Sequence, residues 1–350
     1  MQKKRLVISA VVVALLGLLI YTQFREWRNF DWPTFWAQTH QIRGKHIIHG
    51  ILLIYLHYGL RALRWKIFLK PLKKTSWLAL VPPTVIGFTG LALLGRPGEF
   101  IRPYLIARRE GLSLSSQIAV WTVERIFDLG AFTVLMVSAI FVSKGLRMLS
   151  FYSKFREVGF VLMAGVGALA LVLVIIAKNG DRLADWAETK LGGLRLGLGH
   201  KIAHKIREFG CGLNTIDGPW VFAQLSAVSI GMWYLIALAY REVTHAYAVP
   251  ALHHLTTSKV LLLMGSSMVG SMVQLPAVGG GSQVATISAL SAIFDVPKES
   301  AVSCGMLLWL VTFMSVVPLG LALAHRARLS LRQLSKESAE AESSTTPATM

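Results

Sequence analysis

The chain has 350 residues, of which 54% are hydrophobic and only 15% charged; soluble domains carry about 25% charged residues. Its net charge of +18, from 36 Lys+Arg against 18 Asp+Glu, would point to nucleic acid in a soluble protein. Here the basic residues lie between long apolar runs, so anionic lipid and the positive-inside bias account for them and nucleic acid is not expected as a partner.

The first element is "LVISAVVVALLGLLIYTQF", Leu6 to Phe24, directly behind Lys3, Lys4 and Arg5. It is long enough to cross a hydrocarbon core of about 30 Å. No small-x-small cleavage site follows, so it reads as an uncleaved span rather than a signal peptide. Trp27, Trp32 and Trp36 form an interfacial belt behind it. Further apolar spans follow at approximately 46–68, 77–95, 117–143, 157–178, 219–240, 258–276, 283–294 and 300–324. With Lys3, Lys4 and Arg5 in the cytoplasm, Arg25, Arg28, Arg43 and Lys45 lie outside. The second span then returns to an inner segment containing Arg61, Arg64, Lys66, Lys70, Lys73 and Lys74.

The next run breaks at "GRPGEF". Residues 77–95 begin inside, yet "IRPYLIARRE", with Arg102, Arg108 and Arg109, also prefers the inside. Both preferences are met if 77–106 enters the membrane, breaks at Gly95–Gly98 and returns without crossing. By the same counting, 258–294 enters from outside, breaks at "LPAVGGGSQ" and returns, after which 300–324 runs inward to a basic end. This topology places 23 Lys+Arg inside and 11 outside, with Arg96 and Arg125 left within the membrane. The expected fold is therefore all-α: a polytopic membrane protein with about six full spans and two re-entrant hairpins from opposite faces, arranged as an inverted repeat. Residues 1–330 form one domain, 181–214 a cytoplasmic amphipathic segment and 331–350 a disordered polar tail, with both termini cytoplasmic. Interrupted spans in corresponding positions mark a transporter site near the midplane. The bland alternative is that both Pro/Gly breaks merely end ordinary helices in tight interfacial turns.

Three groups of residues could carry chemistry. Arg96, Glu99 and Arg102, at i, i+3 and i+6, would share a face if helical after Pro97, with the carboxylate between two cations. "TVERIFDLG" places Glu124, Arg125 and Asp128 inside an apolar span, with Glu124/Asp128 at i, i+4 and Arg125/Asp128 at i, i+3. Charges at such depth cost several kcal/mol unless paired or hydrated, so they mark either a functional site or an ion-pair brace. Gly279, Gly280, Gly281 and Gln283 form a glycine-rich turn able to make an anion-binding nest; no Gly-Lys-Ser/Thr follows, which excludes a Walker loop. His200 and His204 lie on an amphipathic stripe without a metalloprotease glutamate. His245, His253 and His254 occupy an outer loop without a ligand pattern. Cys211 and Cys304 offer neither a disulfide framework nor a metal site. No cofactor or metal is expected.

The segment from Gly95 to Leu129 resembles the signature region of the lysylphosphatidylglycerol synthase/flippase transmembrane family. Its G-E-x-x-R-P element is matched by Gly98, Glu99, Arg102 and Pro103, and its E-R-x-x-D by Glu124, Arg125 and Asp128. "RALRW", Arg61 to Trp65, and the late Pro/Gly turn match in position, and the likeness covers roughly residues 5–330. Many members carry an acidic residue after the late glycines, where this chain has Gln283 or a neighbour.

The resemblance implies translocation of an envelope lipid between leaflets of a bacterial cytoplasmic membrane. Only a short tail follows the last span, so the family's separate soluble synthase domain is not expected. The residue pattern leaves three functions open. The first is a flippase in which Arg96, Arg102 and Arg125 hold a phosphate-bearing headgroup. The second is an embedded enzyme acting on a lipid or polyprenyl phosphate through Glu124 and Asp128, although no nucleophile–base pair or metal constellation accompanies them, so no enzyme activity is expected. The third is a non-catalytic scaffold for envelope biogenesis. The expected partner is a membrane phospholipid or other envelope lipid; association into homo-oligomers or with a lipid-modifying enzyme is left open.

Overall fold

A computed structural model describes residues 30–147, 152–191, 203, 218–271, 274–275, 279–330 and 333–337. The span expected at 6–24, most of 192–214 with His200 and His204, and Cys211 lie outside the described residues.

Helix α1, Trp32–His40, opens where Asp31 Oδ1 accepts from the Thr34 backbone N–H at 3.1 Å. Helix α2, Gly44–Leu69, follows. Helix α3, Trp77–Leu94, stops at Gly95, whose φ of 70° and ψ of −148° an L side chain rarely adopts. The chain then makes one 3-10 turn, Arg96–Phe100, and re-forms as α4, Ile101–Glu110. Helices α5, Leu114–Val142, and α6, Lys144–Arg147, follow, then α7, Tyr152–Leu191, which kinks at Asn179. Helices α8, Gly218–His245, and α9, Pro250–His253, lead into α10, Thr257–Gly270. A two-residue ladder pairs β1, Gln274–Leu275, antiparallel with β2, Gly279–Gly280. Helix α11, Gly281–Phe294, begins directly after it. Helix α12, Lys298–Trp309, joins α13, Val316–Arg326, through a π turn at Leu310–Met314.

The order is long helix, hairpin, long helix, played twice: α2, α3–α4, α5, and then α8, α10–α11, α12–α13. Both hairpins close on glycine. A side chain on Gly98 would overlap the backbone of Gly90 and Leu91, and one on Gly270 would overlap the backbone of Gly281. The feet of the first hairpin meet, since Lys73 Nζ donates to the Glu110 carbonyl at 2.5 Å. Chain reversal at both interruptions is thus a property of the fold.

The two lead helices, α2 and α8, pack antiparallel along their lengths. The contacts run from Arg43 N–H on the Ala246 carbonyl at 3.0 Å, through His46 on Glu242 at 2.7 Å, to Arg64 on Ser229 at 2.9 Å. The largest apolar core lies between α5, α8 and the second repeat, while Trp65, Phe68, Leu80, Ile106 and Val123 form a second core around the first hairpin. Among the described residues four helical stretches are long and apolar enough to cross a membrane: Trp77–Leu94, Ser116–Val142, Gly218–His245 and Lys298–Arg326. Large apolar side chains such as Leu52, Val142, Val161 and Val269 stay exposed, as expected of a surface solvated by lipid. The protein is a multi-pass helical membrane protein.

The tail departs from its expected disorder over one short stretch. Residues 333–337 are helical, and Leu334 is buried among Ile86, Ile101, Leu105 and Ala324. Glu337 accepts from the Tyr104 hydroxyl at 2.9 Å, tying this turn to α4.

Candidate functional site

The site is built on α2, α4 and α5, held by the first hairpin. Glu124, wholly buried on α5, is its centre. One carboxylate oxygen accepts from Arg61 Nη1 at 3.2 Å, Arg64 Nη2 at 2.5 Å and Arg102 Nη1 at 2.9 Å. The other accepts from Arg102 Nη2 at 2.5 Å and Trp65 Nε1 at 2.9 Å. Arg102 is thus bidentate, the strong geometry for a guanidinium on a carboxylate. One turn along α5, Asp128 accepts from Arg64 Nη1 at 2.7 Å and lies 3.6 Å from Arg61. Arg61 Nε donates to His57 Nε2 at 2.9 Å, and His57 Nδ1 donates to the Met232 carbonyl at 3.2 Å. With one ring nitrogen accepting and the other donating, that histidine is neutral. The guanidiniums of Arg61 and Arg102 also lie over the Phe88 ring, at 4.6 and 5.2 Å from its centroid.

Arg125 takes a different position. Its side chain is 41% exposed, its Nη2 is 3.3 Å from Asp128, and its guanidinium stands 5.8 Å from the centroid of the Trp121 ring. Its Nε is buried without a hydrogen-bond partner. It opens onto a cleft lined by Gly87, Phe88, Leu91, Glu99, Arg102, Trp121 and Arg125. Four guanidiniums, of Arg61, Arg64, Arg102 and Arg125, therefore face the two carboxylates of Glu124 and Asp128. Counting Glu99, which also lines the cleft, one positive charge remains in excess among the described residues.

The expected residues separate into three environments. Arg102, Glu124 and Asp128 are buried in the network, Glu99 and Arg125 border the cleft, and Arg96 is exposed. Arg96, Glu99 and Arg102 do not share one environment: Arg96 is exposed, Glu99 half-buried and Arg102 buried, although a 3-10 turn from Arg96 to Phe100 runs directly into α4 at Ile101. Gly279, Gly280, Gly281 and Gln283 sit at the turn of the second hairpin, where Gln283 Oε1 accepts from the Gly280 N–H at 3.1 Å. A glutamate oxygen can make that same cap at the third helical position. Glutamine at this position keeps the hairpin closed without a charge.

The charge pattern alone puts Arg61 and Arg64 in a basic cytoplasmic segment and gives no site role to His57 or Trp65; the structure buries all four. Their spacing at i, i+4, i+7 and i+8 along α2 is the signal that one face was polar.

Fold and site together define a helical membrane protein that holds a partly uncompensated arginine cluster beneath an open cleft. Residues 5–320 match the family described as the lysylphosphatidylglycerol synthase TM region, and the chain belongs to that family. Searches of curated proteins and of solved structures each returned no match.

Proposed function

We propose that the protein is a lipid flippase of a bacterial cytoplasmic membrane, moving a phosphate-bearing envelope lipid between leaflets. The observation that carries this is the charge excess. Burying charge in a low-dielectric site costs several kcal/mol unless it is compensated, and an anionic headgroup in the cleft supplies the missing charge. Arg125 would bind the phosphate, helped by Arg102 from the cleft wall, while Glu124 and Asp128 brace the arginines rather than act as acid and base. Glu124 accepts five hydrogen bonds from Arg61, Arg64, Arg102 and Trp65, which fills both of its oxygens and argues for that bracing role.

In this reading the two hairpins are re-entrant, about six further spans cross, and both termini are cytoplasmic. Lengths of three of the four limbs favour it: α4 rises only about 15 Å, and α10 and α11 about 21 Å each, at about 1.5 Å per residue, while α3 alone is long enough to cross. The backbone break at Gly95–Phe100 is tolerable at depth because Gly98 packs against the backbone of Gly90 and Leu91 and Phe100 against the Trp121 ring. Affiliation to the family supports a role in lipid chemistry or transport.

The test is reconstitution of the full chain in liposomes with a headgroup-labelled phosphatidylglycerol, read by leaflet-selective quenching and by mass spectrometry. Loss of leaflet asymmetry with no new lipid species supports transport. A new lipid species would establish the enzyme instead.

A further inference from the structure

A second polar depression lies at the other end of α8, well away from the cluster. It is lined by Arg241 and His245 of α8, His253 and His254 of α9 and its end, and Thr256 and Thr257 opening α10. Ser229, which Arg64 touches, is twelve residues earlier on the same helix, a separation of about 18 Å along the axis. Arg241 Nη1 donates to the Thr257 hydroxyl at 3.2 Å, while its Nε is buried without a hydrogen-bond partner. Its neighbour Glu242 does not neutralise it. That carboxylate points to α2, accepting from His46 at 2.7 Å with His49 at 3.6 Å. No carboxylate of the described residues pairs with Arg241 within ion-pair distance.

Two of the imidazoles are held in place. His245 Nε2 donates to the Leu255 carbonyl at 3.1 Å, and His253 Nδ1 donates to the His245 carbonyl at 3.1 Å. His254 is exposed at the rim. The first-turn N–H groups of α10 open beside them, where a helix N-terminus favours negative charge. No trio of His, Cys, Asp and Glu side chains among the described residues is placed to hold a metal. We propose that this depression is a second anion site, built for a phosphate group by the uncompensated Arg241 guanidinium, the Thr257 hydroxyl and the histidine rim. The phosphate is that of a lipid headgroup or of a free anion; both present the same tetrahedral oxygens. The site stands on its own geometry and does not depend on leaflet exchange.

The experiment is histidine carbethoxylation of the full chain in phosphate-free detergent, with peptide mapping of His253 and His254. Inorganic phosphate is added in one arm. The other arms add vesicles of phosphatidylglycerol or of a galactolipid without phosphate. The expected result is at least a fivefold slowing of His254 labelling by inorganic phosphate, by phosphatidylglycerol, or by both, none by galactolipid, and loss of that protection in Arg241→Gln. Protection by inorganic phosphate alone identifies a free anion, and protection by phosphatidylglycerol alone identifies a headgroup. Wild-type protein labelled at the same rate in every arm overturns the site, whether or not Arg241→Gln folds. Protection that survives in folded Arg241→Gln overturns it as well.

Discussion

Replacing Glu124 by glutamine removes one charge and almost no volume, which makes it a sharp probe of the cluster. With the amide oxygen in the position that now serves Arg61, Arg64 and Arg102 Nη1, three acceptor bonds survive. The amide nitrogen then faces Arg102 Nη2 and the Trp65 indole N–H, two donors that have lost their acceptor. Turning the amide over rescues these two and strands the other three. Breaking a buried ion pair from one side costs about 3–5 kcal/mol, so the folded-to-unfolded ratio should fall roughly 10²- to 5 × 10³-fold. Arg125 gives the control: it is 41% exposed, and partly solvated pairs contribute about 0–1 kcal/mol. Unfolding in detergent followed by tryptophan fluorescence should therefore show a large loss of stability for Glu124→Gln and almost none for Arg125→Gln. Equal stabilities for the two variants would refute the division into a bracing core and an open binding residue.

Three further outcomes follow from the packing and the topology. A β-carbon on Gly87 would overlap the Arg102 side chain and approach its Cα to 2.9 Å, so Gly87→Ala should cost about 1–3 kcal/mol, measured by the same unfolding assay; an unchanged midpoint would contradict the close approach of α3 and α4. Leu334→Ala should lose about 2–5 kcal/mol of local docking energy, seen as faster hydrogen exchange in residues 101–110, and unchanged exchange would show that this turn does not brace the hairpin. Cysteines placed at Lys73 and Arg109, with Cys211 and Cys304 replaced by serine, should both react with an impermeant maleimide from the cytoplasmic side only. Labelling from opposite sides would exclude a re-entrant first hairpin.

Local pattern revealed some parts of this architecture and hid others. Carboxylates inside "TVERIFDLG" could survive in an apolar span only if paired, and Glu124 and Asp128 are paired. The Pro/Gly breaks marked the places where the chain reverses. Arg61 and Arg64 were hidden because a cation near a span end has the same local pattern whether it meets cytoplasm or a carboxylate about sixty residues away. Only the long-range packing of α2 on α5 distinguishes the two. The split among Arg96, Glu99 and Arg102 is illegible for a related reason: spacing at i, i+3 and i+6 aligns in a 3-10 turn as it nearly does in an α-helix, and only the packing of α4 on α5 decides which of the three is buried. In the tail, one leucine among polar residues carried no periodic signal, and its docking depends on a hollow formed by α3, α4 and α13.

The central claim is that Arg125 holds a headgroup phosphate while lipid changes leaflet, and the most direct measurement is the initial exchange rate of labelled phosphatidylglycerol in proteoliposomes. Wild-type protein should exchange the lipid well above protein-free vesicles, and Arg125→Gln, folded and equally reconstituted, should fall at least tenfold. Exchange by Arg125→Gln at the wild-type rate would contradict the account.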